Sequence, residues 1–145
     1  MKVSIVSLYY NKNIKSGSNL RFEETIKVLL SLNRLNKIIV LNDQIPNFID
    51  KKFVITIENP LKKIKIFRRI FLYNKLNHIL NNLPPNIVIN DFTPIPLKAL
   101  NKHIHYQLIH DLRDWNNIRK NLFIKIFKYI QLIQWKQTKR IIAVS

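Results

Sequence analysis

Residues 2–19 read KVSIVSLYYNKNIKSGSN, and their pattern indicates how the domain begins. Residues 2–10 contain a nearly continuous, mostly β-branched apolar run, as in a parallel strand that is covered on both faces. A polar loop follows, and it holds Gly17, the only glycine of the chain. The pattern predicts an opening strand that leads through a glycine-containing loop into a helix.

The remaining chain alternates between predicted strands and predicted helices. The first helix is predicted over residues 20–33, with Asn19 or Ser18 as its N-cap and Glu23 and Glu24 in its first turn. Further strands are expected at 37–42, 53–58, 86–92, 104–110 and 140–145, and further helices at 61–82, 94–102 and 117–138. This alternation predicts an α/β fold, a Rossmann-like doubly wound domain whose mostly parallel sheet has about six strands.

Length and composition narrow the class of protein. The chain has 145 residues, which is enough for one domain with a real core, and a hydrophobic content of 47% argues against disorder. It has no cysteine, so disulfides, thiolate metal sites and a cysteine nucleophile are excluded. The N-terminal residues lack a signal-peptide pattern, and no uninterrupted apolar run is long enough to predict a transmembrane helix.

The formal net charge of the chain is +17. Such a charge predicts attraction to polyanions: nucleic acid, anionic lipid or phosphorylated substrates. Lys, Ile and Asn are all abundant, which is also typical of an AT-rich coding sequence. The charge alone therefore does not choose among these partners.

The loop KSGSN, residues 15–19, is the first candidate site. A glycine there lets the backbone approach a ligand, and the following helix N-terminus favours an anion. The loop matches neither the GxGxxG pattern nor a Walker A motif. The alternative is that Gly17 simply makes a turn.

The second candidate is IHDLRDW, residues 109–115, where the predicted fifth strand ends. His110 is the best candidate for a general base or hydrogen-bonding group, because the pKa of histidine lies near neutrality. Asp111 could bind a sugar hydroxyl or orient His110, and Arg113 could hold a phosphate. The alternative is a structural histidine followed by an Asp–Arg ion pair that caps the next helix.

The third candidate is INDF, residues 89–92, at the end of the predicted fourth strand. Asn90 and Asp91 would lie beside the end of the fifth strand, and either could contact a ligand. The alternative is that these two side chains form a turn. The three remaining histidines, which have no metal-ligand spacing, are predicted to be structural, and no metal site is expected: His78, His103 and His105.

The predicted helix 61–82 combines a wide apolar sector with basic residues and no acid. One interpretation is docking on an anionic membrane surface, and the other is an ordinary packed helix with a solvated basic face. Helix 117–138 is also basic and poses the same question. The residues of the predicted helix 61–82 that are expected to face a membrane are Lys62, Lys63, Lys65, Arg68 and Arg69.

The order of these motifs resembles the N-terminal domain of the GT-B glycosyltransferases of family 4, a retaining group that includes bacterial lipopolysaccharide and capsule enzymes. TKRIIAVS, residues 138–145, is similar to the family's stretch before the crossing between its two domains, although Lys139-Arg140 replaces a small and acidic pair. HDLR, residues 110–113, resembles its histidine-containing loop. Residues 2–33 resemble its opening strand, glycine loop and first helix, with Ser16 where a second glycine is common.

The resemblance implies that residues 1–145 form the acceptor-binding half of a GT-B fold. The family's nucleotide-sugar half carries an E-x7-E motif, which this chain lacks, so the C-terminal donor-binding domain is expected to be absent. The complete enzyme would transfer a sugar from a nucleotide sugar to a saccharide or lipid-linked acceptor, in bacterial surface polysaccharide or lipopolysaccharide synthesis. It would be cytoplasmic, or peripheral on the inner face of the plasma membrane, and this half alone would be inactive.

The resemblance also implies roles for single residues. Gly17 would lie near the donor phosphates or the acceptor, and His110 near the transferred sugar as the catalytic residue. Asp111 and Arg113 would contribute to substrate binding, and no cofactor or metal is expected beyond the nucleotide-sugar co-substrate. Asn90 and Asp91 are added to the substrate-binding residues because of their place at the end of the predicted fourth strand, and not because of the resemblance. The alternative function is a stand-alone basic α/β module that binds nucleic acid. Against it, the chain has no recognisable nucleic-acid motif, and its aromatic residues lie largely within apolar segments.

Overall fold

The fold was analysed in a computed structural model, which describes residues 1–60, 65–91, 101–109 and 122–143. The first half of the chain forms β1 (Val3–Val6), α1 (Gly17–Ser31), β2 (Leu35–Leu41), a short 3₁₀ turn (Lys51–Phe53) and β3 (Val54–Ile57). The second half forms α2 (Lys65–Asn82), β4 (Ile87–Asp91), β5 (Ile104–Ile109), α3 (Leu122–Gln137) and β6 (Arg140–Ala143).

The strands form one six-stranded sheet in the order β3-β2-β1-β4-β5-β6. Every neighbouring pair is parallel, so the predicted α/β, Rossmann-like sheet is confirmed. The chain moves from β1 outward to β3 and then returns to β4 on the other side of β1. The strand order therefore reverses between β1 and β4, which is where a sheet of this kind opens a crevice at its carboxyl edge.

Apolar side chains cover both faces of the sheet, because a parallel strand points alternate residues to opposite sides. On one face, Ile5 and Ile38 pack with Phe22 and Ile26 of α1. On the other face, residues of β1, β2, β3 and β4 pack with α2 and with Leu8, which follows β1: Val6, Leu8, Ile39, Leu41, Ile57, Leu76, Leu80 and Val88. Helices α1 and α2 thus lie on opposite faces, and the nearly continuous apolar strands of the sequence are explained by this double burial.

The start of α1 differs from the prediction. The helix begins at Gly17 instead of residue 20, and its N-cap is Ser16, whose hydroxyl accepts a hydrogen bond from the Asn19 backbone N–H. The predicted N-caps, Asn19 and Ser18, therefore both lie inside the helix. The first turn contains no acidic residue, and the prediction of Glu23 and Glu24 in that turn was wrong.

Strand positions agree with the predictions to within a few residues. The predicted strand 2–10 is shorter in the structure, since β1 ends at Val6, and β2 begins at Leu35 instead of residue 37. Most of the predicted helix 94–102 lies outside the described residues, and its last two residues form a turn that leads into β5. For the predicted helix 117–138, the described part is α3, which ends at Gln137.

Candidate functional site

The ends of β1 and β4 are joined by a side-chain hydrogen bond at the point where the strand order reverses. The Ser7 hydroxyl donates to Oδ2 of Asp91 over 2.9 Å, and both residues are buried. Val6 is in register with Asn90, so Ser7 directly follows β1 opposite Asp91, the last residue of β4. A carboxylate with several acceptor positions is thereby fixed at the carboxyl edge of the sheet.

Asp91 also lines a small pocket between the sheet and the N-terminal half of α1. Arg21 lines the same pocket. The pocket has room for about one water molecule, so a larger ligand would lie across its mouth. The remaining lining residues are Ile5, Ser18, Phe22, Thr25, Ile89 and Leu108.

The loop from β1 to α1 is held in place by Asn19, which is buried. Its side-chain amide donates to the carbonyl oxygens of Asn11 at 2.7 Å and Ile14 at 2.6 Å. Its Oδ1 accepts from the backbone N–H of Asn11 at 3.4 Å. These three contacts hold the loop in one conformation at the start of α1.

Tyr10 makes two further contacts that join this loop to α1. The Tyr10 ring stacks at a tilt on Phe22, with ring centroids 4.8 Å apart, and its hydroxyl donates to Glu23 at 2.6 Å. Burial, followed by the hydrogen bond to Glu23, raises the pKa of Tyr10. Tyr10 is therefore a neutral donor that anchors the start of the loop.

Gly17 is exposed at the start of α1, next to this loop. A Cβ at this position would meet no atom within 4 Å, and the backbone does not adopt a positive φ. Neither crowding nor backbone conformation in the described part of the chain requires glycine here. The position is open to an approaching ligand, and it would also accept alanine without a steric clash.

Asn90 and Asp91, grouped together in the sequence, point to opposite faces of the sheet. Asp91 faces α1, whereas Asn90 lies on the face that α2 covers and is 0% exposed. The Asn90 side-chain amide lies 3.3 Å from Nδ1 of His105, and the Gln107 side chain donates to the Asn90 carbonyl oxygen at 3.2 Å. Both residues occupy β4 instead of a turn, and the structure does not bring the Asn90 side chain into the pocket of Asp91.

The buried histidine His103 has a structural position, in agreement with the prediction. Its Nδ1 accepts from the Asn86 backbone N–H at 3.3 Å, and its Nε2–H donates to the Leu80 carbonyl oxygen at 2.7 Å. These partners require the neutral ring with its proton on Nε2. Burial lowers the pKa of His103, with a smaller contribution from Lys102. The ring thus connects the end of α2 to the start of β4.

Three predicted site residues, His110, Asp111 and Arg113, lie outside the described residues. β5 ends at Ile109 on the same carboxyl edge as Ser7 and Asp91, and His110 is the next residue in the chain. Their predicted roles therefore stay predictions.

Of the residues predicted to face a membrane, some lie outside the described ranges and the others differ in their surroundings. Lys62 and Lys63 lie outside the described residues, and Lys65 opens α2, with its side chain not described. The Arg68 guanidinium turns toward the segment after β3 and donates to Asn59 Oδ1 at 3.0 Å. Arg69 is exposed on α2.

The described ranges contain neither a metal-binding cluster nor a membrane-spanning helix. No three His, Asp or Glu side chains come together there in an arrangement that could hold a metal ion. None of the helices in this part of the chain has the length and hydrophobicity that a bilayer-spanning segment needs. In comparisons with known proteins, no family model and no curated protein matches the chain.

Three features were not predicted from the sequence: Ser7 as the partner of Asp91, Asn19 as the anchor of the loop, and Arg21 in the lining of the pocket. Ser7 carried one usable signal, because it interrupts an apolar run where a buried strand ends. Its partner lies 84 residues away, so the pairing required the strand order. Arg21 had no signal of its own among the other basic residues.

Proposed function

We propose that this chain is the acceptor-side, N-terminal half of a retaining glycosyltransferase with the GT-B architecture. The observation that carries the proposal is the buried Ser7–Asp91 pair at the reversal of the strand order, beside the N-terminal half of α1. Ligands of Rossmann-like sheets bind at this position. The motif resemblance over residues 2–33, 110–113 and 138–145 supports the choice of a sugar-transferring enzyme.

In this proposal the crevice binds part of a saccharide or lipid-linked acceptor. Asp91 accepts hydrogen bonds from sugar hydroxyls, and the exposed backbone at Gly17 admits the ligand close to the helix N-terminus. His110, the residue after β5, contacts the transferred sugar, and Asp111 and Arg113 assist in binding. Asn90, which faces the opposite side of the sheet, supports the strand instead of the ligand.

The nucleotide-sugar donor would be held largely by a second, C-terminal domain. The proposed reaction belongs to bacterial surface polysaccharide or lipopolysaccharide synthesis on the cytoplasmic side of the membrane. Residues 1–145 would bind an acceptor weakly and transfer no sugar by themselves. Sequencing the coding DNA beyond residue 145 tests this directly, since a continuing frame with an E-x7-E motif is expected.

The binding test is a titration of the isotopically labelled chain, followed by NMR. The probes are an alkyl glucoside, as a minimal lipid-linked sugar, and UDP-glucose. Backbone amide shifts are expected to change around residues 11–25 and at Asp91. Duplex DNA serves as the competing probe, and a response to DNA that is steeply salt-dependent, with none to either sugar, would favour the nucleic-acid alternative.

Gly17→Ala separates binding from folding, and Asp91→Asn tests the carboxylate itself. Gly17→Ala should leave the unfolding free energy unchanged within about 0.5 kcal/mol, because the added Cβ meets open space, yet weaken sugar binding. Asp91→Asn should also weaken binding. The matched control is Asp50→Asn, which changes an exposed carboxylate beside the 3₁₀ turn. If the Gly17 and Asp91 variants bind the probes as the control does, the proposed site is wrong.

A further inference from the structure

The outward side of α3 carries apolar side chains where an ordinary amphipathic helix is polar. Lys125, Tyr129, Leu132 and Lys136 follow one another at helical spacing, and all four are exposed. The exposed fractions are 66% for Tyr129 and 42% for Leu132, and the adjacent Ile126 is 47% exposed. A solvent-facing stripe is normally polar, whereas this one is apolar at its centre and has a lysine at each end.

A similar exposure occurs at the start of α2. Phe67 is 60% exposed and Ile70, one turn later, is 45% exposed, and both flank the exposed Arg69. No acidic residue occurs anywhere in α2 or α3. Within these two helices, the exposed apolar groups are therefore accompanied by basic residues and by no acidic ones.

The topology places the two helices on one side of the sheet. The connections β3–α2–β4 and β5–α3–β6 run in the same direction along the strand order, and β1–α1–β2 runs in the opposite direction. Because such parallel crossovers are right-handed, α2 and α3 share a face and α1 lies on the other. The cores on the two faces agree, since α2 and α1 pack against opposite sides of the strands.

We infer that α3, together with the first turns of α2, forms a docking surface for an anionic lipid bilayer. This docking surface consists of Phe67, Arg69, Ile70, Lys125, Ile126, Tyr129, Leu132 and Lys136. An anionic bilayer suits both kinds of side chain on this surface. Its headgroups attract the basic residues, and the acyl boundary below the headgroups accepts the apolar side chains. Tyrosine suits that boundary, with its ring in the apolar layer and its hydroxyl in water, and lysines extend their ammonium groups back to the headgroups.

This inference does not rest on the proposed glycosyltransferase function, since it concerns the helical face instead of the carboxyl edge of the sheet. A nucleic acid is the competing partner, because it is also anionic. It would be attracted by the lysines but would gain little from an exposed Leu132 or Ile126. The contribution of the apolar residues therefore distinguishes the two partners.

The experiment is co-sedimentation of the full chain with vesicles of phosphatidylcholine alone, or of phosphatidylcholine and phosphatidylglycerol in a two-to-one ratio. Binding is expected only to the anionic vesicles. The double variant Tyr129→Ser with Leu132→Ser should lower the affinity about tenfold or more, and Lys125→Glu with Lys136→Glu should lower it at least as much.

Matched controls lie elsewhere in the molecule. Val28→Ser with Leu32→Ser removes an apolar residue of α1 and the apolar C-cap of that helix, which are 54% and 61% exposed, on the other face. Lys12→Glu with Lys51→Glu changes the net charge by the same amount at two exposed lysines outside α2 and α3. Circular dichroism and thermal unfolding confirm that each variant is folded.

Control variants that bind the anionic vesicles within about twofold of the unmodified chain, while both α3 variants lose binding, would support the inference. Equal binding to neutral and anionic vesicles, no binding to either, or equal losses in the control variants would overturn it. A gel-shift series with duplex DNA completes the test. Tight DNA binding that the Tyr129 and Leu132 substitutions leave unchanged, without vesicle binding, would assign the surface to nucleic acid.

Discussion

The hydroxyl of Ser7 donates to the Asp91 carboxylate over 2.9 Å, across the ends of two adjacent strands whose residues are separated by 84 positions in the chain. Both side chains are buried, so the bond forms where water competes little. It fixes the position of the one buried acidic side chain among the described residues, at the reversal of the strand order. Stability and the proposed binding site thus depend on the same contact.

Ser7→Ala is expected to destabilise the fold by about 2 kcal/mol, because a buried carboxylate loses one of its hydrogen-bond donors. Urea unfolding measures the loss. The control is Ser31→Ala, an exposed serine whose hydroxyl bonds only to the Val28 carbonyl oxygen near the end of α1. Equal stability of the Ser7 and Ser31 variants would show that the Ser7–Asp91 bond contributes nothing.

Asn19→Asp is expected to loosen the loop between β1 and α1. The substitution keeps an oxygen near the Asn11 N–H but removes both donors to the carbonyl oxygens of Asn11 and Ile14. Amide hydrogen exchange should become faster over residues 11–16, with protection in β4 unchanged. Asn13→Asp, at an exposed position of the same loop, is the control, and a similar acceleration in that variant would contradict the anchoring role.

The stability of the protein should decrease in mild acid through His103. Burial lowers the pKa of this side chain in the folded state, so the folded state binds fewer protons than the unfolded one. The free energy of unfolding should therefore fall as pH decreases through about 6.5, the value for unfolded histidine, and this contribution should level off below the lowered folded pKa. Urea unfolding from pH 8 to pH 5 measures the effect.

A substitution isolates this contribution from other titrating groups. His103→Gln should flatten the pH dependence, although its stability at neutral pH is lower because the contacts to Asn86 and Leu80 change. His78→Gln, at an exposed position of α2, should keep the slope of the unmodified chain. An unchanged slope in the His103 variant would refute the assignment.

Asn33 adopts a positive φ of 51° directly after the C-cap of α1. Asn33→Ala should cost about 1 kcal/mol, because alanine adopts this conformation less readily. Asn33→Gly should stay within about 0.5 kcal/mol of the unmodified chain, despite the lost contact between Lys2 and the Asn33 side chain. Thermal unfolding measures both, and equal losses in the two variants would rule out backbone conformation as the cause.

The start of α1 could not be predicted from the local sequence pattern. The sequence around α1 offers Ser16, Ser18 and Asn19 as possible caps, and local chemistry does not rank them. The choice of Ser16 is coupled to the loop, because Asn19 is needed inside the helix to hold the carbonyl oxygens of Asn11 and Ile14. A contact across the loop therefore decided the start of the helix.

The sequence placed Gly17 and Asp91 at the carboxyl edge of the sheet, but it did not predict the contact between Ser7 and Asp91. Parallel strands place their carboxyl ends together, so Gly17 and Asp91 could be assigned to this edge from element order alone. Which of Asn90 and Asp91 faces α1 depends on the register of β4 against β1, since adjacent residues point to opposite faces.

The alternation of strands and helices in an α/β fold could be predicted from the sequence, because each segment shows the hydrophobic pattern of a helix or of a strand buried on both faces. The pairing of the strands placed β1 between β2 and β4 and brought Ser7 to Asp91. These are relations between segments far apart in the chain. They depend on which strands pair and on the path of the connections between them, and a pattern within one segment contains no information about either.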